Sequence, residues 1–285
     1  MVPDLGIDET HARDTWRIIF KCALDAPYLM DQILALSAAR LSVDHADQRK
    51  AYRNEATILQ TRGLSLFKTS EALQSSESNV LARILYSSFL GLHVLFETLL
   101  SRDDFSTFLD EFSSYLSLHR GIRAVIPEGA FDNIRSQLPT LFGDYDCDMT
   151  SLNEADSFAK HSCDPLWSLI EAVEMGPTAT VACKEAVHSL ERAYVMSRRG
   201  KDLKERIKHV VAWTITLPAD FLGLLKQRRP EPMVILAHYA VLLHESQQFW
   251  VFGDGGQYLI ESIRTYLGAY WEKWLSGPIQ ALAVN

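Results

Sequence analysis

The chain contains two groups of side chains whose types and spacing could support chemistry, and the first is an acidic cluster. In SRDDFSTFLDE (101–111), Asp103 and Asp104 come about two helical turns before Asp110 and Glu111. Paired carboxylates can hold Mg²⁺ against a diphosphate, although this spacing differs from a DDxxD motif. Carboxylates at a helix start are also stabilised by the helix dipole. Asp103 and Asp104 are therefore catalytic candidates with a purely structural alternative.

The second group consists of two histidines inside strongly apolar sequence, His93 and His238. A buried imidazole needs a hydrogen-bond partner, which either the core or a bound ligand can supply. Both residues are therefore candidates for ligand contact and for acid or base catalysis. No HExxH, HxxxH or Cys/His quartet accompanies them, so we predict no metal site and no cofactor.

Three segments, 79–100, 210–225 and 231–252, carry more apolar and aromatic surface than one buried stripe requires. Such an excess is typical of a plain core, and it also suits helices that enclose a cavity for an apolar ligand. For the second case we predict that the histidines and large aromatic side chains of these segments contact the ligand. The predicted ligand-binding residues are Phe89, His93, Phe96, Trp213, Phe221, His238, Tyr239, Phe249 and Trp250.

Helices must position these residues, because apolar side chains recur every three or four positions along nearly the whole chain. VVAWTIT (210–216) is strand-like in composition but has no second strand to pair with. We therefore predict an all-α fold, one domain over 1–285 with about ten to twelve helices and an irregular connection at 121–164. The predicted helices cover 8–23, 28–43, 48–69, 79–100, 104–119, 165–175, 178–199, 201–215, 218–228, 231–247 and 255–275.

Composition narrows the class of protein. The 285 residues include 28 Lys and Arg against 36 Asp and Glu, a net charge of −8, with 47% hydrophobic and 22% charged residues, as in a folded globular protein. The cysteines form no CxxC pair, and the N-terminal residues lack the apolar core of a signal peptide, so we expect an intracellular protein, nuclear or cytoplasmic. The apolar run 233–243 is too short to span a membrane, and we expect no membrane contact.

Several segments read together resemble the regulatory domain of fungal zinc-cluster transcription factors of the sterol uptake control type. YLMDQILALSAARLSVDH (28–45) and YRNEATILQTRGLSLF (52–67) are similar to its opening helices, and FLDEFSSYLSLHRGIRAVI (108–126) to its helix that ends in an Arg-Gly-Ile/Val-Arg turn. The segment 228–278 is similar to its C-terminal signature, an apolar helix, a tryptophan segment and a Trp-x-x-Trp-Leu ending. The resemblance covers nearly the whole chain.

The resemblance implies an all-helical, often dimeric domain that binds an apolar small molecule such as a sterol and couples binding to regulation. The six-cysteine zinc cluster with which the family binds DNA has no counterpart here. Our first interpretation is therefore a homodimeric regulatory domain that binds a sterol, terpenoid or polyketide. The alternatives are an enzyme on the same scaffold that cyclises or isomerises a hydrophobic secondary metabolite, and a regulatory decoy that dimerises with full-length regulators.

We predict that this chain does not bind DNA specifically. Its net charge is −8, and its one basic stretch, 197–209, includes acids that partly neutralise it. A mobility-shift assay with duplex DNA should show no sequence-selective complex that survives physiological salt. A salt-resistant, sequence-selective complex would contradict the prediction.

Overall fold

The structure is a computed structural model that describes residues 9–73, 80–102, 104–124, 134, 136–138, 141, 161–200 and 202–283. These residues form α-helices and short 3₁₀ turns, without a strand among them, which confirms the all-α prediction and its ten to twelve helices. Most of the connection predicted at 121–164 lies outside the described residues. The prediction of one domain over the whole chain stays a prediction.

Twelve α-helices are seen in the described part of the chain, and most agree with the predicted segments to within a few residues. Two 3₁₀ turns, Ala46–Gln48 and Ala269–Trp271, lie between helices. The α-helices are α1 (Glu9–Asp25), α2 (Pro27–Asp44), α3 (Arg49–Leu73), α4 (Val80–Leu100), α5 (Phe105–Ala124), α6 (Asp164–Ala172), α7 (Pro177–Arg199), α8 (Leu203–Thr216), α9 (Ala219–Lys226), α10 (Pro230–Glu245), α11 (Gly255–Leu267) and α12 (Glu272–Ala281).

Proline and glycine set several of these boundaries. Helices α2, α7 and α10 begin at a proline, which has no amide hydrogen to leave unpaired in the first turn. The strand-like segment 210–216 lies in α8. The segment predicted as one helix over 255–275 is interrupted at Gly268, whose φ of 72° lies in the left-handed region that glycine adopts without strain. The chain resumes as a 3₁₀ turn and α12.

The chain divides into two compact units. Unit 1 comprises Met1–Phe96 and Gly121–Asp144, and unit 2 comprises Glu97–Arg120 and Tyr145–Asn285. In unit 1, α2 packs along α3. Tyr28 of α2, Phe67 of α3 and Tyr86 of α4 form an aromatic cluster with ring centroids 4.6 to 5.3 Å apart.

Unit 2 is organised around α10. Every residue of α10 from Glu231 to His244 is buried, and the helix contacts α6, α7, α8, α9, α11 and α12. Helix α11 comes close to α10 because Gly256 has no side chain: a Cβ there would clash with the backbone nitrogen of His244 and lie 2.6 Å from the carbonyl oxygen of Ala240.

Helix α4 is long and apolar enough, by length and composition alone, to cross a membrane. Half of its most apolar window is buried inside the protein, and the core helix of a water-soluble protein passes the same test. This one helix is weak evidence of membrane contact.

The close crossing of α10 and α11 predicts a strong effect of one methyl group. Gly256→Ala should lower the free energy of unfolding by about 3 kcal/mol, because the new Cβ meets backbone atoms that cannot move aside. Chemical denaturation of the purified variant measures this loss.

The matched control is Gly223→Ala in α9, where no described heavy atom lies within 4 Å of the added Cβ. This substitution should raise the free energy of unfolding by about 0.5–1 kcal/mol, because alanine favours a helix interior over glycine. Equal effects of the two substitutions would contradict the assigned crossing.

Candidate ligand-binding sites

The first candidate site lies in unit 1, where α2 meets α4. Gln32 projects from α2 towards Phe89 and His93, which are one turn apart on α4. Its Nε2 lies 3.4 Å from the carbonyl oxygen of Phe89 and 3.3 Å from Nδ1 of His93. Both Gln32 and His93 are almost completely buried, and the surrounding sequence is apolar.

These contacts determine how the protons are arranged. The two acceptors around Nε2 of Gln32 match the two amide hydrogens, so Nδ1 of His93 accepts and the ring proton sits on its Nε2. Burial lowers the pKa of His93 to about 4, which keeps the ring neutral near pH 7. The amide oxygen of Gln32, Oε1, is buried and has no hydrogen-bond partner among the described residues.

The second candidate site is a buried polar cluster in unit 2 that consists of Tyr115, His119 and Thr214. Nδ1 of His119 lies 2.6 Å from the hydroxyl of Thr214 and 3.0 Å from that of Tyr115, and the two hydroxyls are 3.3 Å apart. Tyr115 and His119 are one turn apart on α5, and Thr214 lies near the end of α8. All three side chains are buried.

Tyr239 of α10 belongs to the same region. Its ring stacks on Trp213 with centroids 4.2 Å apart and planes 20° apart. The ring of Phe221 contacts the same tryptophan edge-on, with centroids 6.3 Å apart. The indole nitrogen of Trp213 donates to the carbonyl oxygen of Ala186, 3.2 Å away. The hydroxyl of Tyr239 is buried without a hydrogen-bond partner in the described chain, and the nearby Tyr115 adds to the effect of burial in raising its pKa.

His238 has a different environment. Its Nε2 donates to the carbonyl oxygen of Trp274, 2.8 Å away, and its own carbonyl oxygen accepts from the hydroxyl of Tyr194 at 2.7 Å. Burial is the main reason that the pKa of His238 is lowered to about 4. The imidazole bond joins α10 to α12 and the backbone bond joins α10 to α7, so the side chain of His238 has a structural role through Trp274 whether or not it touches a ligand.

The structure thus distributes the residues predicted to bind a ligand between the two units. Phe89, His93 and Phe96 lie in unit 1, while the other six lie in unit 2, where all of them are buried. Phe249 and Trp250 follow α10 and contact each other at 6.2 Å. Their roles as ligand contacts stay predictions.

The acidic candidates are only partly described. Asp103 lies outside the described residues. Asp104 accepts the backbone amides of Ser106 and Thr107 at 2.8 and 3.0 Å, which is the geometry of a helix N-cap at the start of α5. Its hydrogen bond to the hydroxyl of Thr107 is the main cause of its lowered pKa. Among the residues that the structure describes, no three His, Cys, Asp or Glu side chains form a group that could hold a metal ion.

Sequence reasoning missed Gln32, Tyr115, His119 and Thr214 as members of these sites. One signal was available for two of them: Tyr115 and His119 are four residues apart, so they share a helix face. For Gln32, the signal was a single amide inside the apolar stretch LMDQILAL (29–36). The partners of these residues are distant in sequence, and periodicity does not identify such partners.

Comparisons with known proteins supply no neighbour for these sites. No protein-family model, no curated protein and no solved structure matches the chain. The family resemblance noted in the sequence stays a prediction, and function has to be argued from the geometry of the two units.

The buried histidines predict a pH dependence of stability. Burial lowers the pKa of His119 to about 4, below the ordinary 6.5, so the unfolded chain binds a proton there that the folded chain does not. The contribution of the neutral ring to the free energy of unfolding is therefore fully present well above pH 6.5. It is lost as the pH falls from 6.5 towards 4, at about 1.4 kcal/mol per pH unit.

Urea denaturation between pH 4.5 and 7.5 measures this slope. Substitution of His119 by glutamine should make the plot of unfolding free energy against pH less steep, by the amount that corresponds to about one proton fewer bound on unfolding. This holds whatever the effect of the substitution on stability at pH 7. Parallel curves for wild type and variant would contradict a neutral, buried His119.

Proposed function

We propose that this chain is a helical domain that binds an apolar small molecule in unit 1, at Gln32 and His93, and acts in regulation. The ligand class is a sterol, terpenoid or polyketide with a polar group at one end. The resemblance to regulatory domains of the sterol uptake control type supports this proposal, as does the position of a polar pair in apolar helices.

The unpartnered amide oxygen of Gln32 is the observation that carries the proposal. A buried acceptor without a hydrogen bond costs about 1–3 kcal/mol, and an aliphatic side chain at this position would avoid that cost. A ligand that donates a hydrogen bond to this oxygen recovers the lost energy. The same ligand would bury its apolar body against rings such as Phe89 and Phe96, which are buried in α4.

Regulation follows if ligand binding alters how two copies of the chain associate. Direct contact of this chain with DNA is unfavourable, because its net charge is −8. We therefore propose that regulation acts through a homodimer whose stability depends on the ligand. Enzymatic turnover of a hydrophobic metabolite is the competing function. Recovery of the unchanged ligand after long incubation, analysed by mass spectrometry, distinguishes binding from turnover.

The two histidines singled out in the sequence should respond differently to substitution. His93→Gln should weaken binding of dehydroergosterol, a fluorescent sterol, about tenfold, because His93 bonds to the amide of Gln32 whose oxygen accepts the ligand's hydrogen bond. The free energy of unfolding should change by about 1 kcal/mol or less. Fluorescence titration and urea denaturation measure the two quantities.

His238→Gln is the comparison, since both histidines are buried and neutral. It should lower the free energy of unfolding by about 1–3 kcal/mol through loss of the bond to Trp274, while the folded fraction keeps its affinity for the sterol. Unchanged sterol binding by the His93 variant, or no binding by the wild-type protein, would contradict the proposed function.

A further inference from the structure

The hydroxyl of Tyr239 in unit 2 is buried, and no hydrogen bond to a described residue compensates for its loss of water. Its side chain is fully buried and stacked on Trp213, and its hydroxyl has no hydrogen-bond partner among the described residues. A phenylalanine could make the same stack without burying an unsatisfied hydroxyl. The hydroxyl therefore lowers stability unless a group outside the described residues pairs with it.

The neighbouring polar groups already satisfy one another. The hydroxyl of Thr214 donates to the carbonyl oxygen of Val211 at 2.7 Å, so it must accept the hydrogen of Nδ1 of His119. The hydroxyl of Tyr115 lies within reach of both atoms and completes the trio. None of these hydrogen bonds extends to Tyr239, so its hydroxyl keeps unused donor and acceptor capacity among the described residues.

The electrostatics of the region define the kind of molecule that fits. Burial raises the pKa of Tyr115 and of Tyr239 and lowers that of His119 to about 4, so all three side chains are uncharged at neutral pH. An ion placed among them would lose its hydration without gaining an opposite charge. A neutral molecule with one polar atom has no such penalty.

We propose that unit 2 contains a second ligand site, separate from Gln32 and His93, in which the hydroxyl of Tyr239 binds a neutral apolar molecule through one hydroxyl or carbonyl oxygen. The indole nitrogen of Trp213 is already bonded to the carbonyl oxygen of Ala186, so this residue offers the ligand apolar ring surface and no hydrogen bond. The hydrogen bonds among Tyr115, His119 and Thr214 join α5 to α8. In this proposal, those three side chains support the site and do not bond the ligand.

The experiment compares two tyrosines of unit 2 that are both buried. Tyr194 donates to the carbonyl oxygen of His238, whereas Tyr239 has no such bond, so each is replaced by phenylalanine. The probes are 2-naphthol and 2-methylnaphthalene, which are close in shape and differ in their ability to form a hydrogen bond. Calorimetric titration gives their affinities, and thermal unfolding gives the Tm.

We expect Tyr239→Phe to weaken 2-naphthol binding about five- to tenfold, to leave 2-methylnaphthalene binding unchanged and to leave the Tm unchanged or higher. Tyr194→Phe should lower the Tm and leave both affinities of the folded protein unchanged. This combination of results supports the second site.

Other outcomes overturn it. If Tyr239→Phe lowers the Tm as Tyr194→Phe does and 2-naphthol binds as before, the hydroxyl serves the fold, for example through a buried water molecule. Absence of 2-naphthol binding by the wild-type protein has the same consequence, as does binding that is weakened by His93→Gln and not by Tyr239→Phe. Failure here leaves sterol binding at Gln32 and His93 as a separate result.

Discussion

The complete burial of α10 is the constraint on which the structure of unit 2 depends. A helix that is buried on every side cannot place its polar side chains in water, so a polar group there either bonds to a surrounding helix, as His238 does, or stays unsatisfied, as the hydroxyl of Tyr239 does among the described residues. The close approach of α11 at Gly256, and the bonds from His238 to Trp274 and from Tyr194 to His238, are responses to that constraint. They hold α7, α11 and α12 against one central helix.

In both units, burial separates two classes of polar group. Groups such as His238 bond to backbone atoms, and their hydrogen-bonding capacity serves to hold helices together. Gln32 Oε1 and the hydroxyl of Tyr239 are buried in equal measure and have no bond among the described residues. An unsatisfied buried polar atom costs stability, and the ligand that we propose for each unit would remove that cost independently of the other.

The sequence predicted part of each candidate site. His93, Tyr239 and Trp213 were identified because histidines and large aromatic residues are conspicuous in apolar sequence. Gln32, 61 residues from His93, and Thr214, 95 residues from His119, were not, because the spacing along one helix carries no information about the partner on another. The different partners of His93, a side-chain amide, and His238, a backbone carbonyl, could not be told apart either, since both residues lie in similar apolar sequence.

By itself, the sequence determined the helices. Apolar periodicity, the prolines at the starts of α2, α7 and α10, and the absence of a second strand to pair with 210–216 are local properties, and local hydrogen bonding follows from them. Tertiary structure decided the break at Gly268, the crossing at Gly256 and which buried polar atoms are satisfied. Those outcomes depend on how distant backbone and side-chain atoms approach one another, because a hydrogen bond or a steric clash is decided within a few tenths of an ångström.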